Sequence, residues 1–436
     1  MGRSGAVPEE HTPAPDLPEP PRGAPAVART FAALRHRNFR LFWGGQLISV
    51  SGTWLQSVAQ AWLVLRLSDS ALALGLVTTL QFLPMMLAGP LGGVLADRLD
   101  KRRALVATQS AAMLLAATLG LLTALGRVSV PVVDLLALLL GAVNTVDNPV
   151  RQAFVIELVG REDLPNAVAL NSSVFNSARV IGPALAGLLM GAVGIADCFW
   201  LNAASFLPVL ASLLAMRPAE LRRGPPRAER RVWAAVAEAG RHALGDRDLV
   251  LVIGLMAVIG TFGMNFQTLL PLLAKQALHL QAFGFGVLTS CLGLGSLAGA
   301  LALARLSRAN RGMVLGGAAG FSLLEVVLGF VPGVRSAAIV LAALGVCSIL
   351  YTATSNSMVQ LLAPDALRGR LMSFYTYVFL GTTPIGSLAV SAIAQLAGPG
   401  AAFAAGGASG LAATLAAWFW LRRGPGAAHP APDQGQ

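Results

Sequence analysis

Gly89-Pro-Leu-Gly-Gly-Val-Leu-Ala-Asp97-Arg-Leu-Asp-Lys-Arg-Arg103 closes an apolar, glycine-rich run (residues 71–96) with acids and four basic residues. A second apolar run starts at once at Ala104. Two hydrophobic segments joined this tightly leave no room for a domain between them. Positive charge gathered at one end of such a pair is the signature of a membrane hairpin, because basic loops are retained on one side of the bilayer.

The pattern recurs from Phe39 to Leu421. Apolar residues fill 55% of the 436 positions and charged residues 12%, against about 25% charged in a soluble domain. Twelve apolar segments stand out, at residues 39–65, 71–96, 104–126, 132–152, 166–190, 194–216, 249–273, 283–304, 313–331, 336–360, 370–395 and 401–421. Each is long enough for a helix to cross about 30 Å of hydrocarbon, whereas a barrel strand needs only about 10 residues. The expected fold is an all-α polytopic membrane protein with twelve transmembrane helices.

Residues 217–248 form a basic linker, with Arg222, Arg223, Arg227, Arg230 and Arg231, between a bundle at 31–216 and a second at 249–423. Residues 1–30 and 424–436, poor in apolar residues and rich in Pro, Ala or Gly, are expected to be disordered tails.

The formal charge of +11 is concentrated in one set of loops, while the alternate set holds Arg66, Arg127, Lys275 and Arg335. That bias places both termini and the linker in the cytoplasm of a cell with the protein in its inner or plasma membrane. Basic residues so arranged serve topology, and no nucleic-acid partner is expected. Cys198, Cys291 and Cys347 lie in or beside apolar segments without ligand spacing, and the five histidines lie in loops or tails. No metal, cofactor, Walker motif or nucleophile motif is expected, so the chain reads as no enzyme.

An internal repeat divides the chain. Gly92-Gly93-Val-Leu-Ala-Asp-Arg98 aligns with Gly299-Ala300-Leu-Ala-Leu-Ala-Arg305, and Asn148-Pro-Val-Arg-Gln152 aligns with Asn356-Ser-Met-Val-Gln360. Nearly equal offsets on either side of a basic linker point to two pseudo-symmetric six-helix halves, a known transporter plan. Ala304 stands where the first half has Asp97, so the two loops are unequal.

These stretches resemble the major facilitator superfamily over residues 31–423. The most specific piece is the 2–3 loop, where Gly89, Gly93, Asp97, Arg98, Lys101, Arg102 and Arg103 match the hallmark positions; Asp100 departs, standing where a second glycine is often found. Phe39-Arg40-Leu-Phe-Trp-Gly-Gly-Gln46, Asn148-Pro-Val-Arg151-Gln-Ala-Phe154 and Arg161-Glu-Asp-Leu-Pro-Asn-Ala167 resemble the branch with the enterobactin exporter and macrolide-efflux-like proteins. The resemblance implies alternating-access efflux of an amphipathic small molecule (drug, macrolide-like or siderophore-like) by proton antiport, with protons and the lipid bilayer as partners and the chain a monomer. It also implies a cytoplasmic gate at Gly89, Gly93, Asp97, Arg98, Lys101 and Arg102, completed by Asp147 and Arg151. The plain alternative is that this cluster fixes topology alone, although topology does not explain Asp97.

Ionisable groups within the spans are the other candidates, since they are costly in hydrocarbon and face a cavity or a partner. Asp134 and Glu325 are candidates for proton coupling, and Arg179 for substrate contact. Arg179-Val-Ile-Gly182-Pro183-Ala-Leu-Ala-Gly187 resembles, incompletely, the antiporter motif of the fifth helix, and ordinary packing explains it equally well. Gln46, Trp54, Gln56, Gln60, Asn144, Asn176, Asn265, Gln267, Asn356, Tyr375 and Tyr377 are candidate cavity residues. Trp54 and Gln56 cannot project the same way from one helix, and Trp62 reads as an interfacial anchor. Two other functions stay open: uptake or facilitated diffusion of a metabolite, and a membrane-embedded, non-transporting receptor or scaffold.

Overall fold

Short polar caps turn the apolar runs into antiparallel helices. The computed structural model describes residues 31–222, 232–303, 309–364 and 367–423, without the side chains of 90, 91, 93, 94, 96, 97, 176 and 232–236. Helix α1 (Arg37–Ser68) ends at Asp69, which takes left-handed φ of 48°. Ser70 then caps α2 (Ala71–Arg98) by accepting from the Ala73 amide at 3.3 Å. Two residues separate α2 from α3 (Lys101–Ala124), and Asp100 caps α3 by accepting from the Arg103 amide at 3.0 Å. A carboxylate there satisfies an orphan N–H and meets the positive end of the helix dipole. The one residue that departs from the hallmark loop therefore starts the next helix.

Helices α4 (Val130–Val159), α5 (Leu164–Ala192) and α6 (Ile195–Ala215) complete the first half. The linker carries α7 (Val232–Gly245), whose Ala239 and Ala243 are buried. The seventh crossing is broken: α8 (Arg247–Val258) and α9 (Phe266–Leu272) are each followed by a π turn, Ile259–Gly263 and Leu273–Ala277. Then come α10 (Ala282–Leu303), α11 (Arg311–Leu328), α12 (Val334–Leu362), α13 (Arg368–Gly381) and α14 (Thr383–Arg423). Helix α14 reverses at Gly398, where φ is 87°, with Pro399 next. Gln395 consequently bonds to the start of α2, while Trp420, beyond the reversal, lies under Arg247 at 5.0 Å.

Ten stretches among the described residues are long and apolar enough to cross a membrane. The last of them holds two crossings because of Gly398. Helix α1, 32 residues long, is the more polar one, and it buries Gln46, Ser49, Gln56 and Gln60 inside the protein. The total is twelve crossings in two six-helix halves, as the hydropathy pattern requires.

The family-like stretches at 39–46 and 161–167 are, with the residues that flank them, neighbours in space. Arg35 and His36 both bond Asp163, at 2.7 and 2.6 Å, Ala33 donates to Asn166, and the Trp43 indole donates to the Leu170 carbonyl at 3.0 Å. Burial works to raise the Asp163 carboxyl, but hydrogen bonds from His36 and Arg35 outweigh it and hold it below the usual carboxylate range. A depressed acid stabilises the fold fully above the unfolded value, about pH 4, and the gain fades as pH falls through the lower native value. Asp163→Asn is expected to cost about 1–3 kcal/mol at neutral pH. Thermal unfolding of the purified proteins should show the gap narrowing below about pH 4.

Candidate functional site: a cavity sealed at one end

The end of the bundle carrying the α2–α3 turn is called here the loop face, and the other end the far face. At the far face the halves are clasped by polar contacts between small residues. Ala71 donates to the Gln395 side chain at 2.9 Å, Ser387 to the Gly75 carbonyl at 2.9 Å, and Thr79 to the Pro384 carbonyl at 3.1 Å. Thr268 of α9 meets Thr78 of α2 at 3.2 Å, and Lys275 reaches across to the Leu65 carbonyl and Asp69 at 2.6 and 2.9 Å. The hydrogen bond and charge of Lys275 hold the Asp69 carboxyl below its usual range. That ion pair therefore survives mild acid and is lost only as pH falls through the lowered value.

A second seam joins α5 to α10. Gly187 and Gly286 pack backbone against backbone, a Cβ on Gly286 standing 2.6 Å from the Gly187 Cα, and Gly293 lies against Arg179 and Val180. Trp62, expected at the interface with lipid head groups, is instead buried and stacks on Phe285 with ring centroids 5.8 Å apart. The fifth-helix motif thus builds both sides of this seam, since Gly182 also packs on Trp54 and Ser51 of α1.

Toward the loop face the halves part. The repeat-related helices α4 and α12 are not packed together among the described residues. On α5, Ser172, Ser173 and Phe175 are exposed on the loop-face side of the contact between Arg179 and Gly293. Among the described residues, the α2–α13 edge holds contacts on this side: the Tyr377 hydroxyl donates to the Met86 carbonyl at 2.7 Å, Gly89 lies beside the same ring, and α7 packs Gly240 against Phe374. Glu238 of α7 also pairs with Arg370.

The closed end of the space between the halves holds a small pocket, about 20 Å³, lined by Ser57, Gln60, Thr78, Gln81 and Gln267 together with Ala61, Leu74 and Val77. Its polar groups are amides and hydroxyls, which donate and accept without a desolvated charge. Ser57, Thr78 and Gln81 are polar lining residues that sequence reasoning missed. The signal for Gln81 was a single amide inside the otherwise apolar run of α2.

The expected site residues scatter. Among the gate residues, Lys101 pairs with Glu157 at 2.7 Å and Arg102 donates to the Leu213 and Leu214 carbonyls, all within the first half. Arg98 is exposed at the end of α2. The side-chain positions of Gly93, Asp97 and Asn176 lie outside the described residues, as do Ala304 and Arg305. Asp147 is buried and accepts from Thr108 at 2.6 Å and Gln109 at 2.8 Å, and it pairs with Arg151, which also donates to Gln46. This network ties α1, α3 and α4 together.

Four expected cavity residues are packed within the bundle instead. Gln56 accepts from Asn202 at 2.6 Å and fastens α1 to α6; Trp54, as the helical geometry requires, points to α5 instead. Asn265 is buried and donates to the Thr261 carbonyl, bracing the first π turn. Tyr375 is buried in the second half. Asn144 is half-buried, and Asn356 accepts from Gln360 one turn on in α12.

Of the intramembrane acids, Glu325 is fully buried with neither oxygen partnered, lodged between Gly263 of the first π turn and Gly406 of α14. Asp134 is half-buried with one oxygen unpartnered.

Comparison with known proteins agrees with this architecture. The chain is 25% identical over 396 residues to a staphyloferrin A transporter of Staphylococcus aureus, covering 88% of this chain and 96% of that protein. It is 28% identical over 347 residues to the enterobactin exporter EntS of Citrobacter koseri, covering 78% and 81%. A crystal structure of a bacterial homologue of the lysosomal transporter Spinster superposes with a TM-score of 0.66 at 15% identity, over 92% of this chain and 98% of that one. The model of the transmembrane secretion effector family matches residues 28–429. With twelve crossings in two clasped halves and a match over nearly its whole length, the chain belongs to the transmembrane secretion effector family, a transporter branch of the major facilitator superfamily and not an enzyme.

Proposed function

We propose that this protein exports an amphipathic small molecule across the inner or plasma membrane by alternating access, exchanging it for protons. The observation that carries the reading is the one-sided seal: the halves are clasped at the far face and parted at the loop face. The loop face holds the basic loops, and the positive-inside bias makes it the cytoplasmic one. Both termini and the 217–248 linker then lie in the cytoplasm, with half-domains at 31–216 and 249–423, and the cavity receives substrate from inside the cell. The relatives named as a siderophore transporter and a siderophore exporter support outward movement of a small molecule. The protein acts as a monomer, since one chain supplies both halves of the cavity.

Proton coupling rests on Glu325, whose carboxyl is buried without a partner, and on Asp134, half-buried with one oxygen unpartnered; at such sites a bound proton removes the cost of a desolvated charge. The test uses inside-out vesicles with an imposed pH gradient and dansylated dyes as probes. Uptake that disappears on adding a protonophore is expected; equilibration that ignores the gradient would replace antiport by facilitated diffusion. In the same vesicles Glu325→Gln is expected to flatten the pH dependence of uptake, and an unchanged profile would remove Glu325 as a coupling site.

A further inference from the structure

Arg179 has no counter-ion. It sits at mid-span of α5, and no acid or carbonyl bonds its guanidinium among the described residues. At 100° per residue, the exposed Ile181, Leu185 and Leu188 take one arc of the helix. That apolar arc suits lipid. Arg179 takes the opposite arc with Ser172 and Phe175, between the α1 contact at Gly182 and the α10 contact at Gly187. The side chain therefore lies at the seam of the halves and on the cavity side.

Other charges of the spans are already accommodated. Arg151 is paired with Asp147, and Lys275 with Asp69. Glu325 and Asp134 can each become neutral by binding a proton. A guanidinium cannot, because it keeps its proton across the working pH range. A fixed positive charge in a low-dielectric cavity is neutralised only by an anion brought to it. The polar groups that line the pocket at the closed end are amides and hydroxyls, which bear no charge to compete for that anion.

From this geometry we propose that Arg179 binds a carboxylate of the transported molecule, and that the protein selects carboxylate-bearing amphiphiles. The guanidinium fork matches a carboxylate in bidentate fashion, and the exposed Phe175, one turn away on the same arc, offers aromatic surface for the rest of the ligand. The assignment rests on the transport reading above. Its test is an equilibrium one, so loss of charge preference overturns this assignment alone, and gradient-independent equilibration in vesicles overturns antiport alone.

The test titrates the purified full-length protein in detergent with three probes sharing one fluorophore: dansylglycine (anionic), dansylamide (neutral) and dansylcadaverine (cationic). Dansylglycine is expected to bind about tenfold or more tighter than dansylamide, as a charge-assisted hydrogen-bonded pair gives, with dansylcadaverine weakest. Arg179→Gln should erase the preference while leaving dansylamide binding in place, which shows that the variant is folded, and Arg179→Lys should keep part of it. Equal affinity for the three probes, no binding of any, or an undiminished preference in Arg179→Gln would overturn the assignment.

Discussion

Joining α2 to α9 through a disulfide, by Thr78→Cys with Thr268→Cys in a chain lacking Cys198, Cys291 and Cys347, is expected to bring transport down to the background of empty vesicles. The two hydroxyls stand 3.2 Å apart across the far-face clasp, so thiols in their place start about 1 Å beyond the length of an S–S bond. Export requires this clasp to open, because the substrate leaves by the far face. A transporter held in one state does not turn over, however well it binds. Reduction should restore the rate, and each single variant should transport normally. Full transport by the oxidised double variant would show that the halves do not part here. Both positions are buried, so the oxidant must be small and membrane-permeant.

The second large effect is expected at Asp147 and Arg151. Arg151→Met leaves a buried carboxylate facing only Thr108 and Gln109. Removing one partner of a buried pair costs about 3–5 kcal/mol, while replacing both is close to neutral. The single variant should therefore fail to accumulate as a monodisperse protein, and Arg151→Met with Asp147→Leu should recover much of the loss. Size-exclusion profiles and melting temperatures in detergent measure this. If the recovered double variant still fails to transport, the pair works in the gate as well as in the fold; if it transports normally, its role is structural.

The fold was legible because the bilayer imposes a length and a composition on every crossing, and the loops carry the sidedness. The tightest reading, the hairpin at 89–103, is matched by a two-residue turn. What the sequence concealed was direction around each helix. Gln46, Gln56 and Gln60 look alike in the sequence of α1, yet one joins the Arg151 network, one fastens α6, and one lines the pocket. In a membrane helix both the lipid-facing and the packed sides are apolar, so polarity marks the interior without distinguishing a cavity from a helix contact. Trp62 misled for the same reason: an aromatic near a span end suits a head-group anchor and a buried stack equally.

The two π turns of the seventh crossing have one more consequence. Each closes its backbone hydrogen bond five residues back, Met264 to Ile259 and Leu278 to Leu273, both at 2.9 Å. Such a turn acts as a one-residue insertion in an otherwise regular helix, turning everything beyond it by about 100°. The first turn is followed by the non-helical Met264 and Asn265, so a helical wheel drawn continuously through Arg247–Ala277 mispoints Gln267. The pseudo-symmetry partner α1 runs uninterrupted. Position-by-position equivalence between the first and seventh helices consequently slips along their length, and gaps belong at Gly263 and Ala277 in any superposition of the two halves.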